Sequence, residues 1–221
     1  MPDPAPDDLT LDELRGRLGP LLPAEAAFDG WGDATLLAAA RTLGVPEERA
    51  RLAVQGGAVE MIDLWFGSID QEMALRLPPD QLASLRIRER ITALAWARIE
   101  TAAPHREALR RATAILAMPG NAGMALRLGW RAADAMWRLA GDTATGMAHY
   151  TKRVTLGGVY ASTLIALLQD ESADLGETRA FLARRIDDVM RFEKAKARLR
   201  PDPERRFNVT RFLGRLRYPA V

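Results

Sequence analysis

Side chains able to do acid–base, nucleophilic or metal chemistry are few in this 221-residue chain, and their spacing points away from catalysis. There is no cysteine, which removes disulfides, thiolate metal sites and thiol nucleophiles together. Of the two histidines, His105 follows Pro104 at a helix start with no second histidine or carboxylate at metal-ligand spacing. No glycine-rich phosphate loop, GxSxG elbow, dinucleotide fingerprint or paired Glu and ExxH metal set is present. No metal or other cofactor is expected, and a helical chain without these signatures reads as a binder rather than an enzyme.

Polar and aromatic tips gather instead between Gly141 and Val189, above all in His149, Tyr150, Lys152 and Arg153. A nearly charge-free run, TLGGVYASTLIALL, follows them. Gly157 and Gly158 within it each cost about 1 kcal/mol relative to Ala in a helix interior. Close approach of another helix, or room for a ligand, would offset that cost. Upstream, Met124, Leu128, Trp130, Met136 and Trp137 form a Met- and Trp-rich set that suits either core packing or a pocket for an apolar ligand.

The elements that must position these residues are all helices. Thr10 and Glu13 have the spacing of a capping box before a short helix to about Leu18. A short helix over Ala24 to Phe28 leads to Asp29-Gly30-Trp31-Gly32, and Asp33 is placed to cap a helix over Ala34 to Leu43. Gly44 and Pro46 then make a tight turn into a helix over Pro46 to Val54, the outline of a helix-turn-helix. Glu47 and Glu48 occupy the end of that helix where base and phosphate contacts would need donors, which argues against nucleic acid as a partner. Longer helices are predicted over Ala58 to Leu77, Gln81 to Ala103 with Trp96 inside, His105 to Met118, Gly123 to Leu139, Met147 to Leu168 and Leu175 to Leu199.

The net charge of +2 hides an asymmetry. The first fourteen residues carry Asp3, Asp7, Asp8, Asp12 and Glu13 with no Lys or Arg, whereas basic residues dominate from Arg179 to Arg217. In the segment after Pro203, Val209, Phe212, Leu213 and Leu216 form an apolar stripe with Arg211 and Arg215 opposite, a surface-seeking amphipathic helix for a membrane or a partner groove. Arg206, Phe212, Leu213 and Leu216 are the expected membrane-binding residues. Val154 to Leu168 falls short of the roughly 20 residues needed to span a bilayer. The N-terminal MPDPAPDD lacks the features of a secretion or transit signal, which predicts a cytosolic or already processed chain.

Between Ala24 and Met190 the sequence resembles the lipid-binding accessory proteins of ubiquinone (coenzyme Q) biosynthesis. The resemblance is carried by Gly30-Trp31, Leu116 to Asn121, Asp134-Ala135-Met136-Trp137, Ala140-Gly141-Asp142, Tyr150-Thr151-Lys152-Arg153, Val159-Tyr160, Gln169-Asp170 and Phe181 to Asp188. It departs from the family pattern at His149, where a Trp is usual, at Gly146, where an Asp is usual, and at Ala135, the second of two paired aspartates.

The resemblance implies an all-α, TetR-regulator-like fold, with a vestigial helix-turn-helix domain in front of a helical ligand-binding domain that commonly dimerises. It implies binding of isoprenoid quinone intermediates and their presentation to the di-iron hydroxylase acting on demethoxyubiquinone. The expected lipid-lining residues are Met124, Leu128, Trp137, Tyr160, Leu164 and Leu168. Those expected to face the hydroxylase are Asp134, Met136, His149, Tyr150, Lys152 and Arg153. The expected divisions are an N-terminal extension (1–23), a helix-turn-helix-like domain (24–77), a lipid-binding domain (78–200) and a basic amphipathic segment (201–221). A homodimer at the cytoplasmic face of a bacterial inner membrane completes the expectation. A TetR-like transcription regulator with an apolar effector pocket is the alternative, and a plain helical scaffold a third.

Overall fold

A computed structural model of the chain describes residues 8–199, and every regular element among them is helical. The helices are α1 (Leu11–Leu18), α2 (Leu22–Asp29), α3 (Asp33–Leu43), α4 (Glu47–Ala53), α5 (Gly57–Arg76), α6 (Pro79–Ala83), α7 (Ile87–Ala102), α8 (Arg106–Leu116), α9 (Ala122–Leu139), α10 (Gly146–Gln169) and α11 (Gly176–Leu199). Contacts divide the chain into one unit over residues 1–185 and a second over 186–221. All the packing and sites described below belong to the first.

Local chemistry sets the boundaries. The capping box at α1 is formed: Glu13 N–H donates to Thr10 Oγ1 at 3.3 Å, and Thr10 N–H to Glu13 Oε2 at 2.8 Å. Gly44 closes α3 in the left-handed region at φ 72°, with Val45 N–H reaching back to Ala40 O at 3.0 Å. Asp33 does not cap α3: Gly32 holds that position, and the Asp33 carboxylate pairs with Arg51 of α4 at 3.0 Å. Residues 1–23 are expected to be an extension, yet α1 packs against α3, α4 and α5.

One long helix predicted over Gln81 to Ala103 is two. The chain is extended at Arg86, whose N–H donates to Glu89 Oε2 at 2.8 Å, so α7 begins anew at Ile87. Arg90 clamps this break. Its guanidinium donates to Ala83 O at 3.0 Å, Leu85 O at 2.8 Å and Ala140 O at 2.9 Å, tying the start of α7 to the end of α9.

An aromatic stack ties α5 to the α2–α3 link, and polar contacts tie α8 to the end of α10. Trp31 stacks on Trp65 with centroids 5.4 Å apart and donates its indole N–H to Ala108 O at 3.0 Å, joining the α2–α3 link to α5 and α8. At the end of α10, Arg106 and Arg110 of α8 donate to the carbonyls of Asp170 and Leu168, groups that the helix itself leaves without a partner. The buried Asp170 carboxylate accepts from Ser172 N–H at 2.8 Å, Thr178 N–H at 2.7 Å and Thr178 Oγ1 at 2.6 Å. It thereby fixes the loop in which Leu175 adopts φ 59°.

Burial alone would raise the Asp170 carboxyl, but the hydrogen bonds from Ser172 and Thr178 outweigh it and hold the group well below the usual carboxylate range. A depressed native value stabilises the fold above the ordinary carboxylate value near ~4 and is lost as pH falls through the native one. Asp170→Ala is therefore expected to lower the urea midpoint at neutral pH, with wild type and variant converging on acidification below about pH 4. A deficit that stays constant across an acid titration would contradict this origin.

Candidate functional site on helices α9 and α10

Helices α9 and α10 run antiparallel in close contact. A Cβ on Gly157 would lie 3.3 Å from Gly129 O, tighter than ordinary packing, so glycine is what lets the backbones approach here. Gly158 faces away and is exposed, with nothing near its Cβ position. The register set by Gly129 with Gly157, Asp134 with Arg153 and Trp137 with Lys152 puts Leu128 level with Tyr160 and Met124 level with Leu164.

An ion-pair network locks the other end of the pair. Arg153 Nε donates to Asp134 at 2.6 Å, and its Nη1 donates to Asp142 at 3.3 Å and His149 O at 3.2 Å. Lys152 Nζ reaches Asp142 at 2.6 Å and lies 4.9 Å from the Trp137 ring centroid, while the Trp137 indole donates to Lys152 O at 3.1 Å. Arg138 adds a second cation on Asp134 at 2.7 Å. Burial opposes ionisation of Asp142, but Lys152, the Ala144 N–H and Arg153 together hold its carboxyl below the ordinary value.

This arrangement corrects two of the expected partner-facing residues. Met136 is fully buried, because Leu128, Ala132, Met136 and Ala140 recur every four residues and turn inward together. Arg153 is only 3% exposed, its charge answered by two carboxylates inside the helix pair. Asp134 is mostly buried in the same network, and Lys152 is half-buried. Tyr150 remains at the surface, 58% exposed and ringed by Trp130 at 5.8 Å and His149 at 5.3 Å.

Around it an apolar stripe lies open to solvent. Met147, Tyr150, Val154, Gly158, Ala161 and Ile165 are all exposed and follow one another at spacings of three or four along α10. Leu126 of α9 is 76% exposed. Met147, Tyr150, Val154 and Ile165 on one exposed face, with the small Gly158 and Ala161 between them, mark an interaction surface more than scattered apolar residues do.

Of the expected lipid-lining set, Leu128, Tyr160 and Leu164 are buried, whereas Met124, Trp137 and Leu168 are half-buried. Tyr160 meets a residue that sequence reading missed. Arg98 of α7 is completely buried, with its guanidinium carbon 4.7 Å from the Tyr160 ring centroid. Its Nη1 donates to Asp70 of α5, which also receives Arg131 of α9 at 3.2 Å, and Arg131 in turn pairs with Asp63. Among the described residues Arg98 Nε, Arg98 Nη2 and the Tyr160 hydroxyl make no hydrogen bond of good geometry, although the guanidinium and the phenol lie close enough to interact with each other. Buried polar groups are nearly always well paired, so three such atoms side by side distinguish this point of the core. Burial raises the Tyr160 phenol above its ordinary value, and it is a neutral O–H donor at physiological pH.

Among the described residues no group of His, Cys, Asp and Glu could hold a metal ion, and no helix is long and apolar enough to cross a membrane. The expected membrane-binding residues Arg206, Phe212, Leu213 and Leu216 lie outside the described residues.

The helical architecture is that of a TetR-type regulator. The solved TetR transcriptional regulator from Nitrosomonas europaea ATCC 19718 superposes with a TM-score of 0.64 at 23% identity, over 80% of this chain and 98% of that one. The family resemblance is more particular: residues 122–193, which hold α9, α10 and most of α11, match the COQ9 family model. The chain is also similar to the mitochondrial ubiquinone biosynthesis protein COQ9 of Rattus norvegicus, 39% identical over 42% of this chain and 30% of that protein. The COQ9 of Xenopus tropicalis is 28% identical over 73% of this chain and 53% of that protein. The chain thus spans between about a third and about half of the length of these curated relatives. Their names place them in mitochondria, which overturns the expected bacterial inner-membrane location.

Proposed function

We propose that this chain is a non-catalytic accessory protein of ubiquinone biosynthesis, which binds an isoprenoid quinone intermediate and presents it to a di-iron demethoxyubiquinone hydroxylase. The observation that carries the reading is the buried Arg98–Tyr160 pair, whose Nε, Nη2 and O–H make no hydrogen bond of good geometry among the described residues. Quinone carbonyl oxygens are acceptors, and a buried donor left unpaired costs about 1–3 kcal/mol. A carbonyl reaching this point would recover that cost, while Leu128 and Leu164, near in register, would take the isoprenoid chain. Support for the pathway comes from the match over α9 and α10 and from relatives named for ubiquinone biosynthesis.

The hydroxylase is assigned to the exposed Tyr150 end of α10, with Met147 and Val154 on either side. A second copy of the chain is assigned to Gly158, Ala161 and Ile165, where the small Gly158 and Ala161 permit a close helix approach and Ile165 offers apolar area. Segment 201–221 is assigned to a membrane surface through its basic and apolar side chains.

Native mass spectrometry after gentle extraction is expected to show an isoprenoid quinone retained or accepted by the chain. Tyr160→Phe, which deletes one donor and keeps the ring, should weaken retention by about tenfold, or about 1.4 kcal/mol. A preparation that never takes up such a lipid, or a Tyr160→Phe variant that holds it equally well, would overturn the assignment. Separately, Tyr150→Ala should reduce recovery of the hydroxylase in a pull-down, and undiminished recovery would remove the Tyr150 surface from the contact.

A further inference from the structure

An open cavity of about 490 Å³ lies between the start of α7 and the first turns of α11, within the range of small-molecule sites. Its walls differ in character. Arg86, Arg88 and Arg179 bring three positive charges, and Trp96, Ala93 and the buried Leu182 supply apolar surface. Glu89 is the single carboxylate among the lining residues, and it already accepts the Arg86 N–H at the start of α7. Three guanidiniums thus stand against Glu89 in the lining and Glu100 beside Arg179, and the positive end of the α7 dipole adds to them.

Arg179 is exposed, with 64% of its side chain open to solvent, and it lies over the Trp96 ring. Its guanidinium carbon lies 4.4 Å from the Trp96 ring centroid, and Nη2 is 3.8 Å from Glu100. Glu100 in turn accepts the Trp96 indole N–H at 2.5 Å. Glu100 thus positions both the aromatic wall and the cation above it. Trp96 and Arg98 are two residues apart on α7, about 200° around the helix, so this cavity and the buried Arg98–Tyr160 point open to different sides.

We propose that this cavity is a second binding site, for an amphiphile with an oxyanion head joined to an apolar body. The head, a carboxylate or a phosphate monoester, meets the Arg86, Arg88 and Arg179 guanidiniums, whose planar donor forks match both groups. The apolar body lies against Trp96, Ala93 and Leu182. The site is independent of the quinone reading.

Isothermal titration of the full chain with decyl phosphate and decanoate below their micelle concentrations, and with decanol below its solubility limit, tests the proposal. Both anions, or one of them, should bind about tenfold or more tightly than decanol. The preferred anion then identifies the head group. Arg179→Gln should weaken the anion by about fivefold while leaving decanol unchanged. Trp96→Ala should weaken anion and alcohol alike. Arg86→Gln, at an exposed side chain, repeats the charge test if Arg179→Gln is poorly folded by circular dichroism. Equal binding of decanol and the anions, or an anion affinity untouched by Arg179→Gln and Arg86→Gln, would overturn it. Quinone retention should be unaltered in these variants, which separates failure here from failure of the quinone assignment.

Discussion

A fully buried guanidinium is the constraint around which the first unit is organised. Arg98 cannot shed its proton, so the core must supply a counter-charge, and Asp70 of α5 does so. Asp70 also receives Arg131 from α9, and Arg131 reaches on to Asp63. One chain of alternating charges thereby joins α5, α7 and α9, while the Tyr160 ring of α10 lies against the guanidinium. Removing one partner of a buried pair costs about 3–5 kcal/mol, whereas an intact pair contributes little by itself. An arrangement so exacting, with three buried polar atoms lacking a hydrogen bond of good geometry among the described residues, is a poor device for stability alone. It makes more sense as a prepared polar point in an otherwise apolar core.

The paired helices α9 and α10 separate two kinds of work. On their inner side, Leu128, Ala132, Met136, Tyr160 and Leu164 are buried, and the Gly157–Gly129 approach holds the backbones close. The network of Asp134, Arg153, Asp142 and Lys152 satisfies its own charges and so fixes the start of α10 without reaching outward. What the outer side presents is mainly shape and apolar area: Met147, Tyr150, Val154 and Ile165. The segment matching the COQ9 family covers both helices, so the proposed lipid-facing and partner-facing functions share one structural element.

Much of this was legible in the sequence wherever the deciding interaction is local. Thr10 with Glu13, and Gly44 at the end of α3, mark boundaries because the groups that settle them lie within a few residues. The glycine pair in α10 announced close packing, although only Gly157 provides it. Long-range choices were harder to read. Arg98 is a polar letter in the apolar series Ile91, Leu94, Ala95 and Ala102, and that interruption was the available signal; its partner Asp70 lies 28 residues away. The resemblance groups Met136 and Arg153 with Tyr150 and so places them outward. Neighbours in sequence on a helix point about 100° apart, and the small alanines that share the inward stripe with Met136 concealed its period.

The central claim is that a quinone carbonyl accepts hydrogen bonds at the buried Arg98–Tyr160 point. Isotope-edited infrared difference spectroscopy of a carbonyl-labelled isoprenoid quinone reads that bond directly. Bound to the wild-type chain, the labelled carbonyl stretch should move to lower frequency than in an apolar solvent and return part of the way in Tyr160→Phe. A bound quinone whose carbonyl stretch matches the apolar solvent, in wild type and variant alike, would contradict it.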